Sequence, residues 1–148
     1  MDDIKNSYVY SDFIRTDILQ LVPDTGVLIG SVGCGSASTE QFLVKSGRIV
    51  HGVDISDKAI AVAKNRITSA KVIAGDVLMP FAENSLDGLI LADVLEHMPK
   101  AWLRLEQFSK MVKPGGWILI SVPNMRQLRI IYTFLFKGDW LESSTGIF

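Results

Sequence analysis

The sequence predicts an α/β protein built on a doubly wound, mostly parallel sheet of five strands with helices on both faces, and three observations predict it. Apolar runs of strand length alternate with segments of helical length, and glycine, proline, asparagine or aspartate bounds each run. The runs are apolar enough to be covered on both faces, as buried parallel strands are. The first run passes through "GCGSAST" into a helical segment, and the next two runs end on aspartates, Asp54 and Asp76.

In chain order the pattern gives a helix at 11–21 and a strand at 27–32, then, past the glycine turn, a helix at 38–45. A strand at 49–53, a helix at 57–67 and a strand at 70–74 follow, and the fourth strand is at 88–92. The helix at 99–112 is ended by Pro114 and the two glycines of "KPGGW"; the fifth strand is at 117–122 and a last helix at 125–137. There is no repeat, low-complexity tract or linker. With 148 residues, 48% of them hydrophobic and 21% charged, the chain suits a single globular domain, 1–148, with a real core.

Fifteen basic residues against sixteen acidic ones leave a net charge of -1, without the electropositive face of a duplex-binding protein, so no nucleic-acid partner is expected. The start, "MDDIKNSYVYSDF", lacks the basic-then-apolar run of a secretory signal, and no apolar stretch approaches the roughly 20 residues that span a bilayer. A cytoplasmic protein without stable membrane insertion is expected. The lone cysteine, Cys34, cannot form an internal disulfide or a multi-cysteine metal site.

In "VLIGSVGCGSAST" a glycine turn between a first strand and its helix lets backbone approach a ligand, while the free N–H groups of the helix favour polar or anionic atoms. Gly33 and Gly35 are the positions that matter. A dinucleotide fingerprint needs a third glycine at position 38, where Ser38 stands, which weakens a hydride-transfer reading. A tight turn that binds nothing is the alternative. Asp54 follows Gly33 by 21 residues, where a carboxylate can accept from both hydroxyls of a ribose. It can instead cap the next helix, a task open also to Ser56 or Asp57. Asp76 lies 22 residues further on, placed to accept from an adenine amino group, with the Val77 N–H as a donor to the ring. No "GK[ST]" phosphate loop occurs, so the pattern points to a nucleoside cofactor rather than a nucleoside triphosphate.

These residues, with "MPFAENSLDGLILADVLEHMPK" and "KMVKPGGWILISVPN", resemble the class I S-adenosylmethionine-dependent methyltransferases, of the small-molecule kind called methyltransferase type 11, from about Tyr8 to the end. The order of six pieces carries the resemblance: glycine loop, strand-end acid, "GD" after the third strand, the "MPF…SLD" turn, "LEH" after the fourth strand and "PGG" before the fifth. The resemblance implies a Rossmann-like fold, S-adenosyl-L-methionine as cofactor and S-adenosyl-L-homocysteine as product. It implies that Gly33 and Gly35 flank the methionine part and ribose, Asp54 holds the ribose diol, Asp76 and Val77 read adenine, and Ala92 with Leu95 lines the wall near the sulfonium. Ser31, Cys34 and Ile55 complete the implied cofactor-binding set.

The chain departs from that family at three places. Ser31 stands where members usually carry an acid near the cofactor's ammonium, so restoring an acid there is expected to tighten binding. Ala37 stands where they usually carry glycine, tolerable unless its φ must be positive. Family sheets carry seven strands, the last two an antiparallel hairpin, and this chain is expected to end before that hairpin. The fifth strand is then expected to be an edge, covered by the C-terminal segment or by a second copy in a homo-oligomer.

Methyl transfer is an in-line displacement in which positioning supplies much of the rate. His97 in "LADVLEHMPK" is the candidate general base, since it follows the fourth strand at the cofactor edge and imidazole is the side-chain type suited to proton transfer near neutral pH; alternatively it bonds a loop carbonyl. Asp93 and Glu96 can pair, but without further ligands no metal site is expected. Cys34 reads as a small loop residue rather than a nucleophile, and His51 has no assigned function. The apolar "RQLRIIYTFLFKGDW" reads as a helix on the sheet, with membrane-surface attachment or an acceptor lid as alternatives. The expected function is methyl transfer to a small-molecule or sugar-containing acceptor. A non-catalytic cofactor-binding domain is the second reading and an NAD-dependent oxidoreductase the third.

Overall fold

A computed structural model of the protein describes residues 12–74, 77, 79–124, 142–143 and 146–147. The chain divides into two compact units, Asp12–Val122 and a second made of Met1–Ser11 with Pro123–Phe148. The larger unit holds β1 (Leu28–Val32), β2 (Ile49–Asp54), β3 (Ser69–Val72), β4 (Leu86–Ala92) and β5 (Val112–Ser121). Its helices are α1 (Thr16–Leu21), α2 (Gln41–Lys45), α3 (Asp57–Ala63) and α4 (Ala101–Ser109), with a 3₁₀ turn at Leu95–His97. In the second unit β6 (Glu142–Ser143) pairs antiparallel with β7 (Gly146–Ile147). The sequence reading placed no strand there, because two-residue strands are too short to show a period. The helix expected at 125–137 lies outside the described residues.

The five strands are all parallel, in the order β3-β2-β1-β4-β5. From β1 the chain builds outward through β2 to β3, then crosses back to place β4 on the other side of β1. The strand order therefore reverses between β1 and β4, and in open parallel sheets ligands bind in the crevice at the carboxyl ends beside such a reversal.

Successive strand residues feed opposite cores, as the period of two requires. On one face Ile29, Val50, Ile90 and Leu119 pack with Ile18 of α1, Leu43 of α2 and Ile60 and Ala63 of α3. On the other, Val32, Val53, Leu89 and Leu91 pack with Phe108 of α4 and Met111. α3 begins where its sequence says it should: the Ser56 side chain accepts the Ala59 N–H at 3.2 Å, and Asp57 sits in the first turn.

The expected helices are longer than those observed: residues 12–15 are irregular, residues 64–66 and 110–111 form turns, and Val112 already belongs to β5. Residues 38–40 form turns behind Ala37, and α4 starts only after Lys100, which holds a left-handed φ of +57°. The largest correction concerns "KPGGW". Expected as a helix stop ahead of a strand at 117–122, it lies inside β5, which begins at Val112. Leu86 pairs with Val112 and Gly88 with Trp117, so the intervening residues bulge out of register. A bulge is where a strand tolerates proline. Gly116 allows the close approach: a Cβ there would stand 2.7 Å from the Asp87 carbonyl oxygen.

Candidate functional site at the strand reversal

The loop leaving β1 runs through Gly33, Gly35 and Ala37 at φ of +73°, +52° and +57°. The N–H groups of Gly33 and Cys34 both donate to the Val53 carbonyl, at 2.8 and 3.1 Å, which folds the loop across the end of β2. A Cβ on Gly33 would stand 2.8 Å from Val94 Cγ2, so space and φ both demand glycine. Gly33 is exposed, while Cys34 and Gly35 are buried. The condition set for Ala37 is therefore not met: its φ is positive, a conformation that costs an L-residue about 1–2 kcal/mol, and its methyl is fully buried in the core.

Asp54 ends β2 with 5% of its surface exposed. Its carboxylate accepts the Gly35 N–H at 2.8 Å and the Ser56 N–H at 2.9 Å, so it ties the glycine loop to the start of α3. Ile55 beside it is an exposed apolar side chain. Asp76 lies outside the described residues. The Val77 N–H, expected as a donor to a ligand ring, donates to the Ala74 carbonyl at 3.1 Å in this structure. Ala92 is half-buried at the end of β4, whereas Leu95 is buried in the core on the α4 side.

His97 stands exposed at the end of the 3₁₀ turn after β4, and no described residue hydrogen-bonds its imidazole. Asp93, at φ +51°, accepts from Arg15 and from the Ser121 hydroxyl at the end of β5. That engagement, rather than a pairing with the exposed Glu96, defines its surroundings. Cys34 is buried with its thiol toward the Gly35 carbonyl, at 3.6 Å. Burial, then the neighbouring Glu40 and Asp54 carboxyls, push the thiol's pKa up, so it stays a thiol, as a structural loop residue should. His51 is half-buried within β2, in register with Gly30 and Ser69.

Three residues that the sequence did not single out shape the site. Glu40, at the N-terminus of α2, accepts the Ser31 hydroxyl hydrogen at 2.7 Å, and both side chains are buried. Arg66 donates to Asp12 at 2.7 Å and to the hydroxyls of Ser36 and Ser38 at 3.1 Å, which clamps the far side of the loop. The Arg66 hydrogen bond, with those of Ser38 and Ser36, lowers the Asp12 pKa to about 2. Arg15 joins Asp17, Asp93 and Ser121. Each of these side chains becomes recognisable only when strands distant in sequence are brought to one edge.

A family model described as a methyltransferase domain matches residues 31–120. The chain is 29% identical over 118 residues to the ubiquinone biosynthesis O-methyltransferase of Paraburkholderia xenovorans, covering 76% of this chain and 49% of that protein. It is 28% identical over 111 residues to the protein of the same name from Nitrosomonas europaea, covering 70% of this chain and 47% of that one. The chain thus spans about half the length of the curated relatives it matches. Among solved structures, an S-adenosylmethionine-dependent methyltransferase from Mesorhizobium loti superposes with a TM-score of 0.64 at 19% identity, over 72% of this chain and 52% of that one. The [4+2]-cyclase SpnF superposes with 0.61 at 19% identity, over 71% of this chain and 42% of that one. At such identities the likeness is one of fold.

Proposed function

The chain belongs to the methyltransferase-domain family, and from that premise we propose that its glycine loop binds S-adenosyl-L-methionine and that the domain methylates a small-molecule or sugar-containing acceptor, leaving S-adenosyl-L-homocysteine. One observation carries the reading: the exposed backbone of Gly33 and the buried carboxylate of Asp54 lie at adjoining strand ends beside the reversal of strand order. The residues fit the cofactor. Gly33 offers backbone with no side chain in the way, and the Asp54 carboxylate at the end of β2 is the acceptor for the ribose hydroxyls. Ile55 supplies an apolar surface for adenine, and Ala92, half-buried at the end of β4, belongs to the wall nearest the sulfonium.

When bound, the cofactor supplies a methyl carbon already activated by its sulfonium leaving group. The protein's task is to hold the acceptor atom within about 3–3.5 Å of that carbon, in line with the bond that breaks. The O-methyltransferase relatives favour a hydroxyl acceptor. His97, exposed just past β4, takes the hydroxyl proton as the new bond forms.

Calorimetry with S-adenosylmethionine, S-adenosylhomocysteine and NAD tests the reading. The first two should bind, and Asp54→Ala should weaken them by about 1–3 kcal/mol through loss of bonds to a charged acceptor. Binding of NAD alone would overturn it in favour of an oxidoreductase. A cofactor-binding domain without methyl transfer is the second reading, favoured by Ser31 at the family's acidic position and by a fold shared with a cyclase; product formation with a hydroxylated acceptor separates the two. Among the described residues β5 has a sheet neighbour on one side only, and it carries the exposed Ile120. A second copy pairing along it would form a homo-oligomer, which light scattering over a dilution series would detect.

A further inference from the structure

Glu40 is 6% exposed, Ser31 is 1% exposed, and the one bond from another side chain to the Glu40 carboxyl is the neutral hydroxyl of Ser31. No lysine, arginine or histidine among the described residues pairs with it. The titratable groups that face it are Asp54 from β2 and Cys34 from the loop, neither of them a cation. A buried carboxylate without a cation costs several kcal/mol, so such a group keeps a proton until a positive charge arrives. Burial, with Asp54 adding to it, raises the Glu40 pKa against the opposing Ser31 bond.

The position says which cation. Ser31 lies two residues before Gly33 and Glu40 opens α2, so their hydrogen bond closes the base of the loop that the preceding reading gives to S-adenosylmethionine. We propose that Glu40 is a cofactor-binding residue that receives the α-ammonium of the cofactor's amino-acid end, with Ser31 holding its carboxyl in place. The inference rests on that reading. When the ammonium arrives it keeps its protons, and the Glu40 carboxyl releases its own to solvent and becomes the counter-charge.

The test compares S-adenosylhomocysteine with 5′-methylthioadenosine, which has the same nucleoside without the ammonium, by calorimetry at pH 6–8 in two buffers of different ionisation enthalpy. Wild type should release a proton on binding S-adenosylhomocysteine but not methylthioadenosine. Glu40→Gln should abolish that release and weaken S-adenosylhomocysteine about tenfold, the scale of one charge-assisted hydrogen bond, while leaving methylthioadenosine unchanged. Adding Ser31→Asp to Glu40→Gln should recover the affinity. Equal proton release for the two ligands in wild type overturns the proposal even if Glu40→Gln fails to fold, as does equal weakening of both ligands by that variant. If methylthioadenosine binds and these differences are missing, Glu40 is excluded and the cofactor reading stands; if neither ligand binds, both fall.

Discussion

Ser31 shows how one contact changes the meaning of a residue. Read alone, it is an acid lost from a cofactor loop, and Ser31→Asp is the obvious repair. Beside Glu40, with 2.7 Å between the two side chains, the same substitution buries two carboxyls against each other. Like charges so close cannot both ionise. Ser31→Asp alone should therefore lower stability by about 1–3 kcal/mol, the cost of a second buried carboxyl with no cation beside it, read as a lowered midpoint in denaturant unfolding. Asp87 offers a second case, in solvent reach. Its carboxylate accepts the Val27 and Leu28 N–H groups at 2.9 and 2.8 Å and the Lys113 ammonium at 2.6 Å. The Lys113 bond, then those from Leu28 and Val27, lowers its pKa from 3.8 to about 2. The unfolded chain takes up this proton first as pH falls, so the stabilisation is complete above pH 4 and is lost as pH drops through about 2. Asp87→Ala should cost about 1–2 kcal/mol near neutrality, and its gap from wild type should close below pH 3 in pH-dependent denaturant titrations.

Among the elements, the stretch from β4 through α4 to β5 departs most from its sequence reading, and it carries two predictions. Lys100 precedes α4 in the left-handed region and is exposed, so Lys100→Gly relieves strain without emptying the core. The relief of about 1–2 kcal/mol exceeds the glycine's entropic cost of about 0.5–1, and the melting temperature should rise modestly. Gly88 is the opposite case. A Cβ there would lie 2.2 Å from Trp117 Cζ2, while Trp117 is held by its Nε1–H donating to the Thr25 carbonyl at 3.1 Å. Gly88→Ala should destabilise the β4–β5 pair by about 3 kcal/mol, visible as a lowered denaturant midpoint and a changed tryptophan emission. The same packing explains why "KPGGW" misleads: Pro114 and two glycines are stop signals locally, but the ladder with β4 resumes on both sides of the bulge.

For the molecule as a whole, the Asp12–Val122 unit places β2, β1 and β4 with strands on both sides and β3 and β5 with one neighbour each among the described residues. Hydrogen exchange should be slowest at residues 29–31 and 89–91 and faster in β3; equal protection along the sheet would contradict this order. The sequence by itself determined the five parallel strands, the turn after the first and the acid ending the second. Those features depend on a period of two, on turn chemistry and on spacing, all of which neighbouring residues carry. Ser56 was legible as a helix cap for the same reason. Only the tertiary structure decided that Ala37 takes a positive φ, that β5 starts before its proline and that Leu95 belongs to the core. It alone joined Glu40 to Ser31, Arg66 to the loop serines and Arg15 to Asp93. These pairings span 9, 30 and 78 residues, and no local pattern encodes a hydrogen bond whose partner is brought near only when the sheet assembles.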